Sequence, residues 1–152
     1  MIKAEDLKIG NLVMVNRDCA FPKGTMCAVT QIDPERVHKD KKGVVTLSYT
    51  DGTDNGPWGT WCCNIEGVPL TPEILEKNGF EVTYPGKCYN KQIGEHKRFL
   101  SRYLSIEYID TEWEVSMNYD TLIDHVTLCS VRYVHELQHI LWALNMDAKL
   151  IV

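Results

Sequence analysis

Turn residues recur at short intervals through the first half of the chain, and between them there is room only for short strands. Gly10, Gly24 and Gly43 each precede a run rich in β-branched and other apolar residues, and Gly56-Pro57 precedes another. Glycine and proline mark the turns that join antiparallel strands. The sequence therefore predicts short antiparallel strands over residues 12–15, 27–32, 44–49 and 58–65.

Two local patterns accompany this strand order. The first is Gly10-Asn-Leu-Val13, and the second is the Asp51-Gly52 turn before a strand that carries Trp58 and Trp61. In this order they resemble the small Tudor-like or KOW-like β-barrels. The resemblance implies a small β-barrel over residues 1–69, and a shared fold by itself assigns no function.

The second half of the chain is predicted to form an antiparallel sheet. Apolar and polar residues alternate over 104–109 and over 112–117, and Asp110-Thr111 between them predicts a tight hairpin turn. Further strands are predicted over 80–84, 99–103 and 126–129.

Two helices are predicted in this half. Thr71-Pro72 and Asn78-Gly79 are the start and stop signals of a short helix over 72–77. The terminal helix is predicted over about 131–144, with Ser130 as its cap. Its apolar residues fall on one stripe that should be buried, namely Val134, Leu137, Ile140, Leu141 and Leu144.

Together these patterns predict an α+β fold in two parts. Residues 1–69 form the small β-barrel, and residues 70–152 form an antiparallel sheet packed by the C-terminal helix. No linker-like stretch separates the parts, so they also fit one compact unit.

Charge and composition exclude several classes of partner. The formal net charge is −5 and the lysines and arginines are scattered, so no nucleic-acid partner is expected. The basic run over 38–42 is interpreted as a solvated loop tip. No signal peptide and no apolar run of bilayer length is found, so the sequence predicts a cytoplasmic protein without a membrane partner. The six irregularly spaced cysteines predict reduced core thiols.

The run His135-Glu136-Leu137-Gln138-His139 is the one place from which a specific chemistry can be predicted. On a helix, two histidines four residues apart share a face and can bind one zinc ion. The glutamate can then act as general base on a metal-bound water. The run resembles the zincin class of metallopeptidases. That resemblance implies a zinc-dependent hydrolase with His135 and His139 as ligands and Glu136 as the catalytic residue.

A catalytic zinc site also needs a third protein ligand and an open position for water. The metzincin extension would have glycine where Trp142 stands and histidine where Asn145 stands. The other candidate ligands are Asp147, His125, His96 and Cys129. None has the usual spacing, so the sequence favours a protein that is not an enzyme and has no cofactor. In that interpretation His135 and His139 face outward from the helix.

Aromatic residues supply the candidate binding surfaces. Tyr49, Trp58 and Trp61 cluster around the third and fourth strands, where small barrels that bind peptides have an aromatic groove. The alternative is that these rings are core residues. Trp142 on the outer side of the terminal helix is a further candidate, for a partner or for a second copy of the chain.

Both ends of the chain carry patterns of one group of proteins. One pattern is the N-terminal segment over 7–13. A second is Pro69-Leu-Thr71 followed by Gly79-Phe80, and the third is the C-terminal segment over 133–138 followed by Trp142-Ala-Leu144. They resemble a group of small proteins without an assigned activity from gut Bacteroidales and their phages or prophages. The group's closing pattern is V-H-x-L-Q followed by an aromatic-A-L, and it requires neither Glu136 nor His139. The resemblance implies a phage or mobile-element context.

The sequence thus predicts a non-catalytic, phage-associated binding or accessory protein in the host cytoplasm. It would engage a partner protein or a small ligand through the barrel groove or the outer face of the terminal helix, and counter-defence is one role. Two alternatives stay open. One is the zinc-dependent hydrolase, and the other is a structural homo-oligomer formed through the Trp142 side of the helix.

Overall fold

The chain is mostly β-strand and forms two compact units. A computed structural model describes residues 2–53, 57–96, 100–119 and 125–152. The two units are Met1–Val68 and Pro69–Val152. Each holds one antiparallel sheet and the second also holds the C-terminal helix, which confirms the predicted α+β class.

The first unit is a five-stranded antiparallel sheet. Its strands are β1 (Leu12–Val15), β2 (Met26–His38), β3 (Lys41–Tyr49), β4 (Trp58–Trp61) and β5 (Ile65–Gly67). They lie in the order β4-β3-β2-β1-β5, and a 3₁₀ helix, Cys62–Asn64, joins β4 to β5. Among the described residues no pairing joins the edge strands β4 and β5. The closed barrel predicted for this part is therefore not found there, and the sheet is open.

Strands β2 and β3 form a long, bent hairpin. Their register shifts between Val29 and Gln31, and again between Asp33 and Val37. Such bulges bend a strand and increase its twist, so the hairpin can curl around one face of the sheet. The side chains buried in the core of this unit include Val13, Val15, Phe21, Cys27, Val29, Val45, Leu47 and Ile65.

The second unit is also a five-stranded antiparallel sheet. Its strands are β6 (Glu81–Tyr84), β7 (Cys88–His96), β8 (Leu100–Ile109), β9 (Glu112–Tyr119) and β10 (His125–Val131). Each strand pairs with the next one along the chain. The predicted hairpin is confirmed, with Asp110 at a φ of 55° in the turn between β8 and β9. The predicted strands over 99–103 and 104–109 form the single strand β8 from Leu100 onward, and Phe99 lies outside the described residues.

Strand β7 is absent from the sequence prediction. Only Tyr89 among its described residues is a fully buried apolar side chain, so the segment lacks the alternation that marks a strand. It pairs with β6 on one side and with β8 on the other. Pairing on both sides, and not local pattern, stabilises this strand.

Both predicted helices are present. Helix α1 is Pro72–Lys77, and the Thr71 side chain accepts a hydrogen bond from the Ile74 amide at 3.4 Å, as expected of a cap. Helix α2 is Val134–Ala143. It begins later than predicted because β10 continues to Val131. Three residues of the predicted apolar stripe are buried, namely Val134, Leu137 and Leu141. The other two, Ile140 and Leu144, are half-buried.

The residues after α2 are attached to α1 by one side chain. Asn78 donates from Nδ2 to the carbonyl oxygen of Ile151 at 2.8 Å. In return, the Ile151 amide donates to Oδ1 of Asn78 at 2.8 Å. This pair of hydrogen bonds joins positions that are 73 residues apart in the sequence.

Candidate functional site

The glutamate of the H-E-L-Q-H run closes the first turn of α2. Its Oε2 atom accepts hydrogen bonds from the main-chain amides of Arg132, at 2.7 Å, and Tyr133, at 3.1 Å. Amides at the start of a helix have no partner within the helix, and a glutamate at this position commonly supplies one. Tyr133 is the N-cap, whereas the predicted cap Ser130 lies in β10. The carboxylate of Glu136 therefore has a structural role at the helix start.

The two histidines belong to a row of four aromatic rings along α2. The Tyr133 ring stacks on His135 with 5.7 Å between centroids, and the His135 ring meets His139 edge to face at 6.1 Å. The His139 ring stacks on Trp142 at 5.7 Å. Ring pairs of this kind contribute about 0.5–1.5 kcal/mol each beyond the area that they bury. The row thus connects the first turn of the helix to its last.

His135 lies inside the second unit, which corrects the outward position predicted for both histidines. Its exposed fraction is 4%, whereas His139 is half-buried. Gln138 is also buried, and its Nε2 donates to the carbonyl oxygen of Ala148 at 3.0 Å. The chain after α2 therefore turns back along this side of the helix. It covers Gln138, so the buried face of α2 extends beyond the apolar stripe. A pattern of apolar residues alone could not show that return.

The candidate third zinc ligands form no metal-binding group with His135 and His139 in the described residues. Asp147 is exposed, and its Oδ1 accepts a hydrogen bond from the Lys149 amide at 2.9 Å. His125 and Cys129 are exposed on β10, and the side chain of His96 lies outside the described residues. In the described parts of the chain, no group of three or more His, Cys, Asp or Glu side chains could hold a metal ion.

Two of the three aromatic residues of the predicted groove lie on opposite faces of the first sheet. In the register of β3 and β4, Trp61 lies opposite Val44 and Trp58 lies opposite Leu47. Because side chains alternate along a strand, Trp58 and Trp61 project from opposite faces. Trp58 is on the face of the buried Leu47, yet 52% of its surface is exposed at the sheet edge. Trp61 stacks on His38 with 6.3 Å between ring centroids.

Tyr49, the third aromatic residue of that groove, shares the face of Trp58. It follows Leu47 by two positions on β3, so both side chains point the same way. The Tyr49 ring is half-buried and meets the ring of Phe21 edge to face at 4.8 Å. The fold therefore leaves Tyr49 and Trp58 on one face, with Trp61 on the other.

A pocket that the sequence patterns do not indicate lies beside a 3₁₀ helix, Ala4–Asp6, in the first unit. Its volume is about 580 Å³, and its apolar lining includes Ile2, Ala4 and Cys62. Because four of its six charged lining residues are cations, we call it the basic pocket. Those six are Lys3, Glu5, Arg17, Asp40, Lys41 and Lys42. The run over 38–42, interpreted from the sequence as a loop tip, thus supplies part of a concave surface.

Gly43 allows the Ala4–Asp6 helix to lie against the sheet at this pocket. Its φ is +75°, which favours glycine. A Cβ atom at this position would lie 2.8 Å from the Cβ of Ala4 and 3.2 Å from Sγ of Cys62. The sequence signal is the glycine directly after the two lysines, but its meaning depends on Ala4 and Cys62, which only the fold brings near.

All six cysteines are free thiols, and two of them, Cys27 and Cys62, are buried. Burial raises the pKa of the Cys27 thiol to about 11, with smaller contributions from Cys19 and Asp51. Burial also raises the pKa of the Cys62 thiol to about 11, and Cys63 adds to the effect. Because the thiolate is the reactive form, both side chains are inert at neutral pH.

The candidate residues form two sets, one in each unit. In the second unit, the residues of the H-E-L-Q-H run serve the start and the packing of α2. In the first unit, Trp58 is exposed, Trp61 is half-buried and the basic pocket forms a concave surface. No helix in the described residues has the length and apolar character needed to cross a membrane. Comparisons with protein-family models, with curated proteins and with solved structures returned no match to the chain.

Proposed function

We propose that the chain is a non-catalytic binding protein whose first unit engages a partner protein or a small ligand. The observation that carries the proposal is Trp58, which keeps 52% of its surface exposed on the edge strand β4. Exposed tryptophan is typical of binding surfaces, because its large apolar area leaves water only when a partner covers it. Trp61, held against His38, offers a second aromatic contact on the opposite face.

The structural roles in α2 support a non-catalytic protein over the zinc-dependent hydrolase. A general base must reach a water bound to the metal, whereas the Glu136 carboxylate accepts two main-chain amides. His135 is buried between the rings of Tyr133 and His139. Both side chains thus contribute to the start and the packing of the helix.

A Tudor-like or KOW-like relationship of the first unit is part of the same proposal. Strand β5 returns to pair with β1, and a single turn of 3₁₀ helix separates it from β4. This order, with two register shifts along the β2–β3 hairpin, supports a small barrel-like module that is not fully closed. Such modules present aromatic side chains to peptides and to modified residues.

We also propose a phage or prophage origin from gut Bacteroidales, with a role in the host cytoplasm that includes counter-defence. The support is the resemblance at both ends of the chain, over 7–13 and 133–138. The alternative is a homo-oligomer formed through Trp142, and light scattering tests it by measuring the mass of the protein in solution. A monomer at micromolar concentration removes that alternative.

The binding proposal is tested by affinity purification from phage-infected Bacteroidales cells. Wild type is compared with Trp58→Ala and with Trp142→Ala, after circular dichroism has shown that all three are folded. We expect one partner that is retained with wild type and Trp142→Ala and lost with Trp58→Ala. Retention of the same partner by Trp58→Ala would exclude Trp58 from the binding surface, and loss with Trp142→Ala would place that surface on the second unit.

The non-catalytic part is tested by elemental analysis of protein purified without added metal. We expect no zinc near one ion per chain, and no change in thermal stability when a chelator is added. Stoichiometric zinc that disappears in His139→Ala would overturn this part and support the hydrolase. Trp142→Ala is the matched control, because it alters the same ring row without removing a possible ligand.

A further inference from the structure

We propose that the basic pocket of the first unit binds a small organic anion, in which a carboxylate or phosphate group is joined to an apolar body. This inference rests on the proposed function, because it names the chemical class of a small ligand for a binding protein. It concerns a different surface from Trp58, so the two can fail separately.

The first argument comes from the cationic side chains of the pocket and their ion pairs. Lys3 pairs with Glu5 at 3.4 Å. Among the described residues, Arg17, Lys41 and Lys42 form no ion pair within 4 Å. Arginine and lysine are the usual ligands of carboxylate and phosphate groups, and arginine can bind either group through two parallel hydrogen bonds.

The apolar lining provides the second argument. Ile2, Ala4 and Cys62 in the lining are buried, so most of the apolar surface that a ligand can cover comes from the methylene stems of the lining lysines and arginine. Because Gly43 has no side chain, Ala4 and Cys62 can both lie close to its backbone. An apolar wall gains from a ligand that removes it from water, in addition to the attraction of the cations for the anionic group.

The size of the pocket provides the third argument. Its volume of about 580 Å³ falls within the range of about 300–1,000 Å³ that is usual for small-molecule sites. An inorganic ion would leave most of this space to water. Glu5 and Asp40 in the lining would repel a continuous phosphate backbone, so a nucleic acid fits less well than a compact ligand with one anionic group.

The first test is a fluorescence titration of the full chain with 8-anilinonaphthalene-1-sulfonate, an anion with an apolar body. We expect one saturable site at low salt, weakened when salt screens the charges. The double variant Arg17→Gln/Lys42→Gln should bind about tenfold more weakly, because it loses charge-assisted hydrogen bonds. The control Lys23→Gln/Arg36→Gln makes the same charge change outside the pocket lining and should bind as wild type does.

Competition then distinguishes the sources of the anionic group. Octanoate and phenyl phosphate should displace the probe, while acetate, inorganic phosphate and neutral octanamide at the same concentration should not. Displacement by only one of the two organic anions identifies carboxylate or phosphate as the preferred group. Displacement by inorganic phosphate as readily as by phenyl phosphate would overturn the apolar part of the proposal.

Two outcomes would overturn the proposal as a whole. One is equal weakening of the probe in both double variants, which would show attraction by net charge alone. The other is the absence of a saturable site in folded wild type. If either occurs while the partner of the Trp58 surface is still recovered, the proposed function stands and only the basic pocket is excluded.

Discussion

The main-chain amide of Arg132 donates a hydrogen bond to Oε2 of Glu136 at 2.7 Å, and this bond fixes the junction between β10 and α2. A sequence pattern that suggests a metal site here serves as a helix start. The same glutamate also accepts the Tyr133 amide, so one carboxylate satisfies two amides at the first turn. The structure thus gives the glutamate of this motif a role in local folding.

Replacement of Glu136 tests this role. Glu136→Ala should lower the free energy of unfolding by about 1 kcal/mol, because two amides at the helix start lose their acceptor. Glu136→Gln keeps an acceptor oxygen and should lose less. Urea denaturation followed by circular dichroism measures both. Equal stability of wild type and Glu136→Ala would contradict the capping role.

Replacement of Gln138 tests the buried side of the same motif. Gln138→Leu should lower the free energy of unfolding by about 1–3 kcal/mol, because it leaves the buried carbonyl oxygen of Ala148 without its side-chain donor. His139→Ala removes one ring from two ring pairs at a half-buried position and should cost about 1–3 kcal/mol as well. Equal stability of wild type and Gln138→Leu in chemical denaturation would contradict the role of the hydrogen bond to Ala148.

The packing at Gly43 is tested against a second glycine with positive φ. Gly43→Ala should destabilise the chain by about 2–4 kcal/mol, from backbone strain and from the close approach to Ala4 and Cys62. Gly24 has a φ of +86° and open space around it, so Gly24→Ala should show only the strain, about 1–2 kcal/mol. Thermal and urea unfolding of both variants measure the difference. Equal losses of unfolding free energy in the two variants would show that the close approach of Ala4 and Cys62 to Gly43 adds no cost to the backbone strain.

Thiol labelling tests the burial of Cys27 and Cys62. At pH 8 an aromatic disulfide reagent should modify the exposed Cys19 and Cys129 in the folded protein, and Cys27 and Cys62 only after denaturation. Mass spectrometry of the labelled peptides identifies the sites. Rapid labelling of Cys62 without denaturant would show that the basic pocket opens down to its apolar lining.

The same two thiols predict a loss of stability in alkali. Their pKa is about 11 in the folded chain, against an ordinary value of 9.0. A raised pKa means that the folded state holds the proton more tightly, so this contribution is fully present below about pH 9 and is lost as the pH rises towards 11. The urea midpoint should therefore fall over this window. A Cys27→Ser/Cys62→Ser variant, which is less stable at pH 7, should show a flatter dependence.

Local signals predicted the elements that depend on neighbours in sequence. The cap at Thr71 and the turn at Asp110 are confirmed, because each is decided by a few adjacent residues. The start of α2 was predicted too early, because Val131 pairs with Trp113 of β9 and Tyr133 forms a bridge with Pro69, so the helix begins only at Val134. Strand β7 was missed because its pairing partners, and not its own pattern, stabilise it.

The candidate sites follow the same division. The predicted groove joined Tyr49, Trp58 and Trp61 because they are close in sequence, but the strand register separates Trp61 from the other two. The basic pocket combines residues 2–5, Arg17 and Lys42, which are far apart in the chain. A sequence pattern cannot show such a site, because it depends on the contacts that β2 and β3 make with the 3₁₀ helix Ala4–Asp6.

The mutual hydrogen bonds between Asn78 and Ile151 set an order of events during synthesis of the chain. The second unit cannot complete this contact until Ile151 has left the ribosome, whereas the residues of the first unit, Met1–Val68, have emerged long before. At about 5–20 residues per second, the interval amounts to several seconds. Because domains generally fold as units in the order of synthesis, the first unit can fold while the second still lacks this contact.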